Sequence, residues 1–181
     1  MEFLTDEKIM MDVKLGDTNR LSMLYEKHKK RFYNYFVKLT NDTEVSQDLL
    51  QNLFVRILKY KKSYQQQQPF LPWSYRIARN LVYDWSKKRS PLNVVLEVEK
   101  VADQVVDDGE AQQKADREEQ LRKAIARLPA EKSELIFWTK IEGMKYEDVA
   151  NIKDTTVGAI KVQVHRAMAQ LKTLYFENNE A

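Results

Sequence analysis

Residues 70–90 read FLPWSYRIARNLVYDWSKKRS, a stretch in which large aromatic side chains alternate with arginine and lysine. Proline suits the first turn of a helix, where its missing N–H would have no partner, so Pro72 predicts a helix that begins close to Phe70. At about 100° per residue, one arc of this helix collects apolar residues. They are Trp73, Ile77, Ala78, Leu81 and Trp85. The arc predicts a helix that packs one face against a hydrophobic core.

The opposite side of this helix carries rings and cations. It holds Tyr75, Arg79 and Tyr83, spaced four apart and flanked by Arg76, Asn80 and Lys87. Bases stack on aromatic rings at roughly 1–3 kcal/mol each and cations attract phosphates, so this face suits single-stranded nucleic acid. The alternative is that exposed tyrosines and arginines merely cover a solvated helix. With either interpretation, we expect truncation of Tyr75 or Tyr83 to leave the melting temperature nearly unchanged.

The composition predicts an all-α fold. The 181 residues include only 4 glycines and 4 prolines, and apolar residues recur at three- and four-residue spacing without useful strand-like alternation. Residues 1–90 carry a net charge of +7, residues 91–120 of −6 and residues 121–181 of +2. We therefore predict two small helical domains, residues 1–90 and 117–181, joined by an acidic linker at residues 91–116. Two basic blocks around an acidic connector indicate two modules that face a polyanion.

Several classes of protein are excluded by the residues that the chain lacks. Without cysteine there is neither a disulfide framework nor a thiolate metal site. The two histidines, His28 and His165, have no neighbours at the spacing of metal ligands. The chain contains no Ser/His/Asp or Cys/His pairing, no glycine-rich phosphate loop, no signal-peptide pattern and no apolar run of about 18 residues. We predict a cytoplasmic protein that is not an enzyme, with no metal, cofactor, small-molecule substrate or membrane insertion.

The sequence also predicts a helix from about Thr43 to Lys59, before the stretch quoted above. Its outer side is mainly polar and consists of Asp48, Gln51, Asn52, Val55, Arg56 and Lys59. The loop that follows, residues 59–70, reads KYKKSYQQQQPF. Its glutamines are most simply a flexible connector, but Lys61, Lys62 and Tyr64 again place cations beside a ring and could contact a nucleic-acid strand.

Residues 146–166 read YEDVANIKDTTVGAIKVQVHR, the pattern of a helix-turn-helix: a short helix, a tight turn and a second helix. The hydroxyl of Thr156 can cap the second helix, and small side chains near its start allow close approach to a major groove. Val162 could touch a thymine methyl, Gln163 an adenine edge, and Arg166 a phosphate or guanine. The candidate DNA-facing residues are Thr156, Gly158, Ala159, Lys161, Val162, Gln163, His165 and Arg166. The alternative is an ordinary helical hairpin with a small, polar outer face.

Taken together, these stretches resemble a bacterial RNA polymerase sigma factor of the small, two-domain extracytoplasmic-function (ECF) group. The stretches that carry the resemblance are LYEKHKKRFYNYFVKL, DLLQNLFVRI, PWSYRIARNLVYDWSKKR, LRKAIARLP and YEDVA…VGAIKVQVHRAMAQL. They occur in the order of that family, with an acidic linker between the two modules. The resemblance implies a promoter-specificity subunit whose partners are core RNA polymerase and promoter DNA, with an anti-sigma factor as a possible third.

The resemblance also implies a role for each stretch. The segment that docks on core polymerase corresponds to Asp48, Leu49, Leu50, Gln51, Asn52 and Val55. The segment that melts and reads the minus-ten element corresponds to residues 70–89, which adds Lys88 and Arg89 to the face described above. The preceding loop is where members of the family capture a flipped-out base. The helix-turn-helix corresponds to the reader of the minus-thirty-five element.

The chain departs from the family pattern at several positions. Lys145 stands where serine or threonine is usual, Asp154 where glycine is usual, and Gln163 and Met168 where arginine is usual. Losing two arginines weakens phosphate attraction in the second module. Asp84 falls within the apolar arc of its helix, for which a buried ion pair is the expected explanation.

Two other functions remain open from the sequence. The chain could be a free-standing helix-turn-helix transcriptional regulator whose first module binds an effector or dimerises. It could also be a helical adaptor that binds no nucleic acid, although the separated blocks of charge argue against this. The DLLQNLF face together with the aromatic and basic helix favours the sigma factor, because a plain regulator has no use for single-strand stacking.

Overall fold

The computed structural model describes residues 4–88 and 109–177, and every regular element within these two ranges is helical. The first range contains α1 (Asp6–Leu15), α2 (Leu21–Thr40), α3 (Thr43–Tyr60) and α4 (Phe70–Lys88). The second contains α5 (Gly109–Ala126), α6 (Ala130–Ile136), α7 (Tyr146–Lys153) and α8 (Val157–Glu177). Contacts divide the chain into two compact units, residues 1–96 and 97–181. The predicted all-α class is confirmed.

The helix ends of the first unit follow from local chemistry. The Thr5 hydroxyl accepts a hydrogen bond from the backbone N–H of Lys8, and α1 ends at Gly16, whose φ of 126° favours glycine. The Asp42 carboxylate accepts from the N–H of Val45 at 3.0 Å and caps α3 in the same way. A 3₁₀ turn, Thr18–Arg20, precedes α2, so the α-helix itself begins only at Leu21.

The core of the first unit is rich in aromatic rings. Helix α3 packs against α2 and α4, while α1 contacts both α2 and α4. The fully buried large side chains are Met10, Leu24, Phe32, Tyr35, Phe36, Leu53, Ile57, Tyr64, Phe70 and Tyr75. Because residues from all four helices contribute, α4 is enclosed on more than one side.

Tyr75 belongs to this core, and its predicted place on the exposed face of α4 is wrong. Its ring lies 4.8 Å from that of Phe32 and 5.2 Å from that of Tyr35, measured between centroids, and its side chain is fully buried. At about 100° per residue, Tyr75 lies roughly 120° from Leu81 rather than opposite it. The buried arc of α4 therefore spans roughly 200°, wide enough to include Tyr75 at its edge. Tyr83, at 58% exposure, does lie on the outer side as predicted.

Tyr64 is a second predicted contact residue that lies in the core. Its fully buried ring packs edge-on against Trp73 at 5.0 Å, and its hydroxyl donates to the carbonyl of Gln68. Burial, with the nearby carboxylates of Glu7 and Asp6, raises the pKa of Tyr64 well above its usual value. Tyr64 therefore anchors its loop instead of meeting a ligand, whereas Lys62 remains exposed and Lys61 half-buried.

The second unit is built around α8. Its buried cluster joins α5, α6 and α8 and comprises Ala124, Ile125, Leu128, Ile136, Ala167 and Leu171, while α7 packs separately against α8. Helix α6 continues as a π-helical turn, Phe137–Ile141, and the chain then turns at Gly143 with a φ of 62°. Helix α5 begins at Gly109, before residue 117, where the second helical domain is predicted to begin. The residues between are mostly strong helix formers, although they supply no apolar stripe.

Substitutions at Tyr75 and Tyr83 should differ strongly in their effect on the free energy of unfolding. Truncation of Tyr75 removes a fully buried ring, so Tyr75→Ala should lower the free energy of unfolding by about 3–5 kcal/mol. Tyr83→Ala removes an exposed ring and should change it by about 0.5 kcal/mol or less. Urea denaturation followed by circular dichroism measures both values. Equal stabilities for the two variants would contradict the burial of Tyr75 and the exposure of Tyr83.

His28 is a buried titratable group that joins α2 to α1. Its Nε2 lies 2.8 Å from a carboxylate oxygen of Asp6, and Lys27 contacts the other oxygen at 2.7 Å. Burial lowers the pKa of His28 below its ordinary 6.5; Asp6 opposes this effect, and the positive charges of Lys27 and Arg31 reinforce it. The folded chain thus binds fewer protons at this site than the unfolded chain does.

The stability of the first unit should fall as the pH falls from about 7.5 to about 5.5. A group whose pKa is lowered on folding contributes stability above its unfolded pKa and loses it on acidification. His28→Gln retains a polar partner for Asp6 but does not titrate, so it should lose less stability than the wild type between about pH 7.5 and about pH 5.5. Thermal unfolding across this range tests the difference. Parallel pH profiles would show that His28 does not carry the effect.

Candidate functional site: the exposed faces of α3, α4 and α8

The outer face of α3 presents four exposed side chains, those of Asp48, Gln51, Asn52 and Val55. Val55 is 64% exposed, which makes it the apolar member of an otherwise polar face. The start of α3 is held by the Asp42 cap and by a buried hydrogen bond of 2.9 Å between the hydroxyls of Thr40 and Ser46. These contacts fix the helix that carries the face.

Leu49 and Leu50 do not belong to the exposed surface. They are 6% and 5% exposed and pack inward, because successive residues of a helix are about 100° apart and these two fall on the core side. Within the candidate polymerase-docking segment, these two leucines therefore lie beneath the exposed residues. The exposed residues Asp48, Gln51, Asn52 and Val55 are called the α3 face below.

The outer face of α4 combines a ring with several cations. Asn80, Tyr83 and Lys87 are exposed, and Arg76 and Arg79 are half-buried. The Lys87 ammonium lies 4.3 Å from the centre of the Tyr83 ring, a cation–π distance. These five residues are called the α4 face below. Of the further predicted members, the side chain of Lys88 and the whole of Arg89 lie outside the described residues.

Asp84 forms the ion pair that its position suggested, but at the surface. A carboxylate oxygen of Asp84 lies 3.0 Å from Nη2 of Arg56, and the Asp84 side chain is 50% exposed. The pair bridges α3 and α4 between their exposed faces. The expectation of a buried ion pair was therefore right about pairing and wrong about burial.

Helices α7 and α8 have the geometry of a helix-turn-helix. Asp154 ends α7 in the left-handed conformation with a φ of 51°, and the Thr156 hydroxyl then accepts from the N–H of Ala159 at 3.2 Å. Helices α7 and α8 pack against each other, Val149 and Ile160 are fully buried, and Ala150 is 4% exposed. The predicted cap and turn are thus both present.

The outer side of α8 is open near its N-terminus. The exposed candidates are Thr156, Gly158, Lys161, Val162, His165 and Arg166, and the half-buried ones are Ala159 and Gln163. Val162 is 50% exposed and stands beside Lys161, so an apolar and a cationic contact are offered together. These eight residues are called the α8 face below.

The departures from the family pattern have structural correlates. Asp154 occupies a left-handed position, where glycine is the unstrained residue and aspartate is among the better tolerated alternatives. Lys145 precedes α7 without any side-chain capping hydrogen bond, which a serine or threonine could supply. Met168 is 38% exposed and lines an apolar groove with Leu121 of α5 and Phe176 of α8.

Within residues 4–88 and 109–177, no group of three or more acidic, histidine or cysteine side chains could hold a metal ion. In the same part of the chain, no helix combines the length and the apolarity needed to cross a membrane.

Comparison with known proteins places both units in one family. Residues 24–91 match sigma-70 region 2, and residues 118–171 match sigma-70 region 4. The first match contains the α3 and α4 faces, and the second contains the α8 face. Helix α1 lies before the first match.

Two curated relatives resemble the chain over nearly its whole length. The ECF RNA polymerase sigma factor SigW of Bacillus subtilis is 24% identical to this chain, and the alignment covers 95% of this chain and 97% of SigW. The RNA polymerase sigma-H factor of Pseudomonas aeruginosa is 23% identical, with coverages of 90% and 89%.

Two solved structures share the fold. One is CnrH in complex with the cytosolic domain of CnrY, with a TM-score of 0.70, 20% identity and coverage of 93% of this chain and 96% of that one. The other is the sigma factor RpoE in complex with the anti-sigma factor NepR from Bartonella quintana, with a TM-score of 0.65, 23% identity and coverages of 84% and 94%.

Proposed function

The chain belongs to the sigma-70 family, in its ECF group, and on this premise we propose that it directs core RNA polymerase to promoters and helps to melt them. One observation carries the proposal: sigma-70 regions 2 and 4 occur in order on one chain, each with an exposed basic face. A free-standing regulator would need the α8 face and would have no use for the α4 face. Binding to core polymerase, followed by transcription from a promoter library, tests the proposal.

We assign the three faces to three different partners. The α3 face, polar with Val55 at its edge, suits docking on core polymerase. The α4 face suits the unpaired minus-ten strand, because a ring can stack on a base while guanidinium and ammonium groups attract phosphate. The α8 face suits a major groove at the minus-thirty-five element. Each assignment is one of binding, and none of them requires a chemical reaction by the protein.

An anti-sigma factor is a further proposed partner. RpoE is similar in fold to this chain and was solved in complex with the anti-sigma factor NepR. By analogy, we propose that a protein of this class occupies surfaces that the polymerase needs and so keeps the chain inactive. Competition between such a protein and core polymerase would support this role.

Removing the α3 face should weaken polymerase binding. Asp48→Ala with Gln51→Ala should raise the dissociation constant for core polymerase without changing helicity, because both side chains are exposed. Glu26→Ala with Asn34→Ala removes one carboxylate and one amide from exposed positions of α2 and serves as the matched control. Quantitative co-purification with purified core enzyme measures both. Undiminished binding by the first pair would remove the docking assignment.

Loss of the Tyr83 ring should impair promoter opening. If a base stacks on it, Tyr83→Ala should weaken strand opening by roughly 1–3 kcal/mol, whereas Tyr83→Phe should retain most of the effect. Permanganate footprinting of unpaired thymines reports opening directly. Rescue on premelted promoter DNA would place the defect at melting, and persistent weakness there would place the ring on the open strand. Normal opening by Tyr83→Ala would exclude the stack.

Two substitutions on the α8 face should separate phosphate contact from base reading. Arg166→Ala should weaken binding to all duplex sequences similarly and reduce the salt dependence, because it removes one phosphate contact. Gln163→Ala should instead relax discrimination at one base pair by roughly 1–3 kcal/mol. Binding of the full chain to a set of single-base promoter variants at several salt concentrations measures both. Uniform weakening by Gln163→Ala would show that this side chain reads no base.

A further inference from the structure

Helix α1 contacts both ends of the loop between α3 and α4. The Lys14 ammonium donates to the backbone carbonyl of Tyr64, at the start of that loop. The Glu7 carboxylate accepts from the backbone N–H of Phe70, where α4 begins, at 3.2 Å. Residues 64–69 therefore lie between two polar contacts, both supplied by one helix that is distant in the sequence.

The Glu7 contact replaces a missing helix cap. Pro69 precedes α4 and has no side-chain oxygen with which to cap it, so the first amide of α4 is satisfied from α1 instead. A carboxylate at a helix N-terminus is also favoured by the helix dipole. Since the Phe70 ring is fully buried, Glu7 fixes the point and direction at which the loop enters the helix.

The Lys14 contact fixes the other end. The Tyr64 ring is held in the core by Trp73, and its hydroxyl donates to the carbonyl of Gln68. The N–H of Gln68 donates back to the carbonyl of Gln65 at 3.0 Å and closes a turn. The loop is therefore compact, and it presents the side chains of residues 65–67 to solvent.

Helix α1 is itself firmly seated, as a positioning element must be. Ile9, Met10 and Val13 are at most 3% exposed. Asp6, at the first position of the helix, contacts both Lys27 and His28 of α2. Its two loop contacts thus come from a helix packed into the core and not from a free terminus.

We propose that α1 sets the shape of the loop at residues 64–69, and that Glu7 and Lys14 are positioning residues for base selection by this loop in the unpaired minus-ten strand. The glutamine amides carry both donors and acceptors, which suits the edges of an unstacked base. The inference rests on the proposed function, because it assigns to α1 a part of the minus-ten recognition. It gives a part in specificity to a helix that lies outside the matched region 2.

The test uses the full chain bound to core polymerase on premelted promoter DNA, with each of the four bases placed in turn at every unpaired position. Lys14→Met removes the donor and keeps the apolar stem, Lys14→Arg restores a cationic donor, and Lys8→Met removes an equal charge from an exposed position of the same helix. Glu7→Ala and Glu7→Gln form the corresponding pair at the other end, since glutamine can still accept from Phe70. Thermal unfolding first establishes that each variant is folded.

We expect Lys14→Met and Glu7→Ala to lower the base preference at one unpaired position by roughly fivefold or more, as the lower range of discrimination by hydrogen bonds to base edges implies. Core-polymerase affinity and binding to minus-thirty-five duplex should stay unchanged. Lys14→Arg and Glu7→Gln should recover much of the preference, and Lys8→Met should resemble the wild type. A merely structural role would alter stability without this selective loss and recovery.

Two outcomes of the base-discrimination experiment would overturn the inference, and they are distinguishable. If the wild type discriminates among bases and Lys14→Met and Glu7→Ala discriminate equally well, α1 does not position the loop, while the proposed function stands. If the wild-type holoenzyme discriminates at no unpaired position, the proposed minus-ten role and this inference fail together. Hydrogen exchange at the amides of Gln68 and Phe70 adds a readout without DNA, and unchanged protection in both variants would also count against the inference.

Discussion

The packing of the Tyr75 ring against Phe32 and Tyr35 determines how α4 is rotated about its own axis. Each residue turns the helix by about 100°. Once this ring is buried, it is therefore largely fixed which other residues of α4 face the core and which face solvent. Arg79, Asn80, Tyr83 and Lys87 are left on the outside as a consequence. The α4 face thus begins beside an aromatic contact of the core, because Arg79 follows Tyr75 by about 40° around the helix, and a change in core packing would move every one of its groups.

The same contact explains where interpretation of the sequence succeeded and where it failed. The helix around Pro72 and its apolar arc could be predicted, since both follow from local geometry and periodicity. The width of the arc could not be predicted, because it depends on how many helices surround α4. The spacing of apolar residues along one helix does not reveal that number. Tyr75 stands at the edge of the arc, where one extra neighbouring helix decides between burial and exposure.

Tyr64 is a second residue whose burial could not be predicted from the sequence pattern. Beside Lys61 and Lys62 it had the composition of a nucleic-acid contact, yet its ring packs on Trp73 and its hydroxyl is used within the loop. By contrast, the Thr156 cap, the tight turn and the inward position of Ile160 in the second unit were all predictable. Those features depend on residues a few positions apart, whereas the contacts of α1 with the loop join residues that are 50 and 63 positions apart. Contacts over such separations leave no periodic signal.

The ion pair between Arg56 and Asp84 has a consequence for the electric field around α4. Asp84 is the only acidic residue in a helix that also carries Arg76, Arg79, Lys87 and Lys88. A solvent-exposed pair of this kind contributes about 0–1 kcal/mol to folding, so holding α3 against α4 is not its main effect. By lying 3.0 Å from the carboxylate, the Arg56 guanidinium compensates the one negative charge on this helix. An approaching phosphate backbone then meets a surface of a single sign, at distances up to the Debye length of about 8 Å at physiological salt.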